Sequence, residues 1–182
     1  MMENRGKLVA ADTNERRMQR GRQRMRRAGA ENYHSVTLNG TDDDFFFTEY
    51  KDHFDRVLVD VPCSGTGAWG ANPENKWKHD YGEVLERLVV IQGDILSRSA
   101  PVVKPGGRLV YATCSILDLE NDGAIARFLK RFDTQFKVVP AQSVWEKALP
   151  GVAWPCAQPD YLKLLPSHNT GGFFAAVLER KA

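Results

Sequence analysis

The sequence predicts an α/β protein built on a doubly wound sheet, and three observations predict it. Short apolar runs alternate with stretches of helical period along the chain. Two of those runs end in residues that carry chemistry: Asp60-Val61-Pro62-Cys63 follows Val57-Leu58-Val59, and Thr113-Cys114-Ser115 follows Arg108-Leu109-Val110. The last two runs, near Leu162 and Phe173, have no helical stretch between them and read as a hairpin, which gives the sheet an antiparallel C-terminal edge. In an open sheet of this kind, ligands and catalytic groups collect at the carboxyl ends of strands.

Lys7 to Ala11 is expected to form a strand ending at Asp12. Thr13-Asn14-Glu15 offers capping chemistry and an early acid, so a helix is expected from about Asn14 to Ala28, stopped by Gly29. Ser35 to Leu38 reads as a strand, Thr41 to Asp44 as a loop, and Phe54 to Val61 as a strand buried on both faces. After a glycine-rich loop, a helix is expected over about 82–100, with Val84, Leu85, Leu88, Ile91, Ile95 and Leu96 inward. Lys104-Pro105-Gly106-Gly107 reads as a turn and Arg108 to Thr113 as a strand. A helix over 119–132 turns Ile125, Phe128, Leu129 and Phe132 inward, and Phe136 to Val139 is the next strand. The prolines of 141–160 make that stretch read as irregular; strands over 162–165 and 173–178 complete the chain.

A chain of 182 residues, 42% hydrophobic and 26% charged, suits one soluble domain spanning 1–182. No apolar run has membrane-spanning length, and Met1 to Lys7 lacks a signal-peptide core, so a cytoplasmic protein without a membrane partner is expected. Three cysteines form no even disulfide framework. There is no Cys-x-x-Cys and the four histidines are scattered, which argues against a metal site. Net charge is only +2, but Arg16, Arg17, Arg20, Arg22, Arg24, Arg26 and Arg27 follow one another without an intervening acid. That run suits phosphate contact; a solvated helix face is the plain alternative.

Asp12, at a strand end before a helix, is placed to accept ribose hydroxyls or to cap the helix. Asp60 and Cys63 flank Pro62, and Ser64-Gly65-Thr66-Gly67 lets the backbone turn beside a ligand. Cys114 is a candidate nucleophile, with a helix expected from near Asp118 to favour its thiolate. Cys156, in the irregular stretch, reads as structural.

These residues carry a resemblance. Phe54 to Gly67 is similar to motif IV, and Lys104 to Ser115 to motif VI, of the Sun/Nop (Fmu/Sun-type, RsmB-like) RNA cytosine-5 methyltransferases. Leu119-Glu120-Asn121 resembles the Glu-Asn element of that family. Asn72-Pro73 with Lys76-Trp77 resembles its Pro…Lys-Trp loop, and Leu165-Pro166 with Gly172-Phe173-Phe174 its C-terminal signature. The resemblance implies a Rossmann-like fold of the class I S-adenosylmethionine-dependent methyltransferases. It implies that Cys114 attacks cytosine C6, that Cys63 assists release, and that Asp60 lies near the cofactor and the base. It also implies Asp12 as the ribose acid, Asp42 as the acid near the adenine and Lys76 as an RNA contact, to which the arginine run adds Arg24. RNA is the partner it implies, ribosomal rather than transfer RNA, with the target base unpaired or extruded.

The sequence departs from that family in two places. The family's glycine-rich cofactor loop and first strand lie before the strand ending at Asp12, where this sequence has only Met1 to Gly6, so a partial catalytic domain from a longer methyltransferase is expected. A non-catalytic remnant that binds RNA through the arginine run is the alternative. Ala68-Trp69-Gly70-Ala71 also stands where relatives commonly carry arginines.

Overall fold

The computed structural model describes residues 2–39, 43–77 and 81–182, which fall into two compact units, Met1–Glu49 and Tyr50–Ala182.

In the first unit, β1 (Leu8–Asp12) and β2 (Tyr33–Thr37) pair in parallel, with Ala10 opposite Ser35, and α1 (Glu15–Arg27) connects them. The helix starts where the capping residues foretell. Asn14 Oδ1 accepts the Arg17 N–H at 3.1 Å, Glu15 occupies the positive first turn, and Arg24, Arg26 and Arg27 occupy the negative last turn. Met18 is buried beneath the helix. Glu15 ties the helix to β2 by accepting from the Thr37 hydroxyl, and within the helix it accepts from Arg22 Nη2 at 2.7 Å. Those bonds, the Thr37 hydroxyl first, hold its carboxyl below the usual carboxylate range. A short helix, α2 (Asp43–Glu49), ends the unit. Asp43 and Asp44, expected in a loop, open this helix, where carboxylates favour the dipole.

The second unit is a five-stranded sheet. β3 (Phe54–Asp60) pairs in parallel with β4 (Val103–Thr113), which pairs antiparallel with β7 (Phe173–Arg180). The far edge of β7 is shared along its length by β5 (Phe136–Val139) and β6 (Tyr161–Leu164). The expected antiparallel C-terminal strand thus lies beside β4 with two short strands outside it. Helices α3 (Tyr81–Ser99), α4 (Asp122–Phe132) and α5 (Ala141–Ala148) fill the connections. The core joins Val59, Leu96, Leu109, Tyr111, Ile125, Phe128, Phe136, Phe174 and Leu178.

Further expectations are corrected. β3, expected to be buried on both faces, is covered on one: Val59 is 5% exposed, whereas Leu58, on the opposite face, is 69% exposed. The strand expected from Arg108 begins at Val103, because Pro105-Gly106 is absorbed as an irregularity between the pairs Phe54–Val103 and Arg56–Arg108, with Gly106 at φ +75°. The helix expected from Leu119 begins at Asp122; Leu119 to Asn121 form a turn that sends Glu120 and Asn121 into the interior. Ile91, expected inward, is 42% exposed, and Gln92 takes the buried place between Leu88 and Leu96. The stretch read as irregular contains α5, because its prolines all lie beyond Ala148 or before Ala141.

Candidate active site

The site lies where β3 and β4 end side by side, Asp60 opposite Ala112 in the last parallel pair. Beyond that pair β3 leaves the sheet, β4 leaves it after Thr113, and the side chains that follow meet. Cys63 Sγ and Cys114 Sγ are 3.2 Å apart. Cys114 is exposed and Cys63 half-buried. Burial pushes the Cys63 thiol up to about 12, and the hydrogen bond to Cys114 adds to the rise.

The loop after Cys63 turns through Gly65 at φ +68°, a conformation that favours glycine. It then presses Gly67 against both Cys114 and the entry to β7. The Gly67 N–H donates to the Cys114 carbonyl at 2.9 Å, and the Gly67 carbonyl accepts from the Gly172 N–H at 2.9 Å. A Cβ on Gly67 would sit 2.5 Å from the Gly172 backbone, and one on Gly172 would sit 2.6 Å from Gly67 Cα. The two glycines are therefore required by close backbone approach, and they join the Cys63 loop, the Cys114 strand end and β7.

Beneath the thiols lies a buried polar cluster centred on Glu120. Its carboxylate accepts four hydrogen bonds: from Ser64 N–H at 2.8 Å, Ser64 Oγ at 2.5 Å, Ser115 Oγ at 2.5 Å and Gln92 Nε2 at 2.9 Å. Ser64 follows Cys63 and Ser115 follows Cys114, so one carboxylate fastens both cysteine-bearing turns to the same point. All four donors are neutral. Burying a carboxylate costs several kcal/mol, and a full set of donors is what offsets it.

Neighbouring bonds complete the cluster. Asn121 accepts from Thr113 Oγ1 at 2.7 Å and donates to the Ser115 carbonyl at 3.0 Å. Thr66 Oγ1 accepts the Ile116 N–H at 3.0 Å, and the Tyr111 hydroxyl donates to the Glu120 carbonyl at 2.7 Å. Burial, and then the charge of Glu120, keep the Tyr111 hydroxyl protonated well above its ordinary range. Lys163 on β6 bonds Asp118 and, at 3.0 Å, Asp122, the two residues that bracket the Glu120 turn.

The structure brings together Cys63 and Cys114, with Asp60, exposed, at the end of β3. The helix expected near Asp118 to support Cys114 starts instead at Asp122. Asp12 ends β1 in the first unit; its Oδ1 accepts the Asn14 N–H at 2.7 Å and its Oδ2 faces Arg17 at 3.5 Å, while Asn14 does the capping. Asp42 lies outside the described residues. Arg24 is exposed in the last turn of α1. Lys76 sits in a 3₁₀ turn, Pro73–Trp77, its ammonium 5.9 Å from the Trp69 ring centre and 5.4 Å from that of the exposed Trp77. Residue-by-residue reading missed Gln92 and Thr66. For Gln92 a signal existed: a polar residue at helical spacing between Leu88 and Leu96 on an otherwise apolar stripe.

The mixed sheet with helices in its connections, its chemistry-bearing residues at the carboxyl ends of β3 and β4, is that of a Rossmann-like class I methyltransferase fold, and the comparisons agree. A solved methyltransferase homolog protein from Pyrococcus horikoshii matches the whole chain with TM-score 0.73 at 26% identity, over 55% of its own length. The crystal structure of PH0851 matches 98% of the chain with TM-score 0.82 at 32% identity, over 38% of its length. The family described as 16S rRNA methyltransferase RsmB/F matches residues 1–179, and the chain belongs to that family. Curated relatives include a probable ribosomal RNA small subunit methyltransferase B of Bacillus subtilis, 33% identical over all 182 residues, and ribosomal RNA small subunit methyltransferase B of Shewanella oneidensis, 35% identical over 180. The chain spans 39% of the first relative's length and 37% of the second's.

Proposed function

We propose that this chain is the catalytic part of an S-adenosylmethionine-dependent RNA cytosine-5 methyltransferase acting on 16S ribosomal RNA, its two units belonging to one catalytic domain. The observation that carries the reading is the contact of Cys63 and Cys114 at 3.2 Å across two adjacent strand ends. Family membership supports the ribosomal substrate.

Cytosine C5 is a weak nucleophile. When the exposed Cys114 sulfur adds to C6, the C5–C6 double bond opens and C5 becomes enamine-like. S-adenosylmethionine, when bound, supplies the electrophilic methyl group. Asp12, Asp60 and Asp42 are the residues assigned to hold it. Asp12 and Asp60 fit the task chemically: each is a carboxylate at a strand end, able to accept from ribose hydroxyls or from the polar edge of the base. Release requires a base, here a solvent water, to take the C5 proton; the freed electron pair re-forms the C5–C6 double bond, and the bond from Cys114 to C6 breaks with its electrons on the sulfur. Cys63, against the departing sulfur, assists that step. Arg24 and Lys76 supply phosphate contacts, and Trp77 offers an exposed ring for stacking beside Lys76.

The test is methyl transfer to 16S RNA by the cysteine variants. Cys114→Ala is expected to abolish transfer, and Cys63→Ala to accumulate a covalent protein–RNA adduct that survives denaturing electrophoresis. Robust turnover by Cys114→Ala would overturn the assignment.

A further inference from the structure

Two thiols in contact at the ends of paired strands also form a site for oxidation. We propose that Cys63 and Cys114 close into a reversible disulfide when a peroxide reaches the strand ends, a modification that occupies both sulfurs at once. That the disulfide silences methyl transfer rests on the function proposed above; its formation does not.

The sulfurs already stand within reach of bonding distance. The sulfurs are 3.2 Å apart and a disulfide bond is about 2.05 Å, so closure needs roughly 1 Å of sulfur movement. The backbones that carry them are already neighbours. Val61 donates to the Ala112 carbonyl and Gly67 to the Cys114 carbonyl, and Glu120 holds the residue after each cysteine. The movement therefore falls to the side chains. The two sulfurs also differ as a peroxide-reactive pair requires. Cys114 is exposed, where peroxide arrives, whereas Cys63 is half-buried against it, where a resolving thiol must stand. Cys156 lies apart in role: its sulfur accepts the Lys163 N–H at 3.2 Å.

The steps balance. Cys114, as its thiolate, attacks one peroxide oxygen. The O–O bond breaks, the sulfur becomes a sulfenic acid, and the departing hydroxide takes a proton to become water. The Cys63 sulfur then attacks Cys114 Sγ; the S–O bond breaks, and the second hydroxide leaves as water with the Cys63 proton. Two thiols lose two electrons and two protons, and hydrogen peroxide becomes two waters. A dithiol reductant reverses the bond by exchange. Closing the disulfide also keeps Cys114 from further, irreversible oxidation to the sulfinic acid.

The experiment uses the 182-residue chain with a small molar excess of hydrogen peroxide, quenched with iodoacetamide and mapped by mass spectrometry without reduction. Expected are a peptide joining Cys63 to Cys114, lighter than the two thiols by two hydrogens, its loss on adding dithiothreitol, and an alkylated Cys156. In urea the preference for this pair should vanish. Cys63→Ser should abolish the link and raise sulfinic acid at Cys114 by at least about tenfold. Cys114 passing to sulfinic acid in the unsubstituted chain while Cys63 remains a free thiol, read by alkylation after unfolding, would overturn the proposal, as would a dominant link to Cys156. Neither RNA nor methyl donor enters the assay, so its failure leaves the methyl-transfer reading intact, and the failure of that reading leaves the disulfide standing.

Discussion

The two units bury apolar surface very differently. Tyr50–Ala182 lays five strands against helices around a continuous core in which Leu109, Tyr111, Ile125, Phe174 and Leu178 have no exposed surface. In Met1–Glu49, a thirteen-residue helix covers two strands, and Met18 and Phe46 are the buried hydrophobics among the described residues. The difference follows the work each is assigned. Holding two sulfurs 3.2 Å apart needs neighbours that cannot yield, and close-packed interiors supply them. Presenting arginines to phosphates needs only a helix with one face outward.

Core truncation should expose this contrast most strongly. Phe174, fully buried on β7 between the rings of Tyr111 and Tyr161, should cost about 3–5 kcal/mol as Phe174→Ala. Met18→Ala in the smaller unit should cost about 2 kcal/mol, since its surroundings can collapse more easily. Amide exchange in increasing urea is the measurement: Phe174→Ala should loosen β4 and β7, and Met18→Ala only α1 and its strands. Equal loosening of β4 by Met18→Ala would dissolve the distinction.

The thiols sharpen the contrast within the larger unit. With its thiol raised to about 12 by burial first and by Cys114 second, Cys63 stays protonated through neutral pH. At pH 8 it should be alkylated on the order of 10²–10³ times more slowly than an ordinary exposed thiol. Its rate should keep climbing with pH toward 12 rather than level off near 9. The linkage has one sign: the folded state holds this proton between the ordinary thiol range and about 12 while the unfolded state gives it up, so stability falls as pH rises through that window. A plateau near pH 9 in alkylation of the folded chain would show that burial does not protect this sulfur.

Next in size is the carboxylate beneath. Glu120→Gln keeps the shape but turns an amide donor toward the hydroxyl and N–H of Ser64, the hydroxyl of Ser115 and the amide of Gln92. Stability should fall by about 1–3 kcal/mol. If Glu120 positions the sulfurs, disulfide closure and methyl transfer should both slow beyond what the stability loss explains. Thermal unfolding read beside the closure rate separates the two effects. Closure at the original rate would leave Glu120 a structural residue alone.

Legibility from sequence followed local chemistry. Strands β3 and β4 announce themselves by apolar runs, and α1 by Asn14, Glu15 and Gly29, because period and capping are properties of neighbours in the chain. The cysteines were legible as a pair from their matching places at the ends of two apolar runs, but their contact at 3.2 Å was not, since it depends on β3 and β4 lying side by side. Thr66 and the inward turn of Glu120 were not legible, because each is defined by a tertiary partner, and Gln92 left only the signal of its spacing between Leu88 and Leu96. Gln92 defeated the helical pattern outright: the apolar Ile91 looked like the buried position, yet a carboxylate twenty-eight residues later made glutamine the better neighbour. In 141–160, three prolines masked the eight residues of α5 that lie before the first of them.

The smallest effect concerns the arginine face of the smaller unit. Seven arginines read alike in the sequence, but their surroundings divide them. Arg17 faces Asp12 at 3.5 Å, and Arg22 bonds Glu15 at 2.7 Å and Ser35 at 2.9 Å, so part of their charge is spent within the unit. Arg24 is exposed in the last turn, where a cation also suits the helix dipole. Arg24→Gln should therefore lower RNA affinity several-fold and reduce the slope of log affinity against log salt by about one, with stability changed by no more than about 0.5 kcal/mol. Arg22→Gln should do the reverse, loosening α1 from β2 with little change in slope. Filter binding across salt concentrations, beside thermal unfolding, reads both. If the two variants lose slope equally, the ion pairs within the unit do not sort the arginines, and the whole run acts as one diffuse charge.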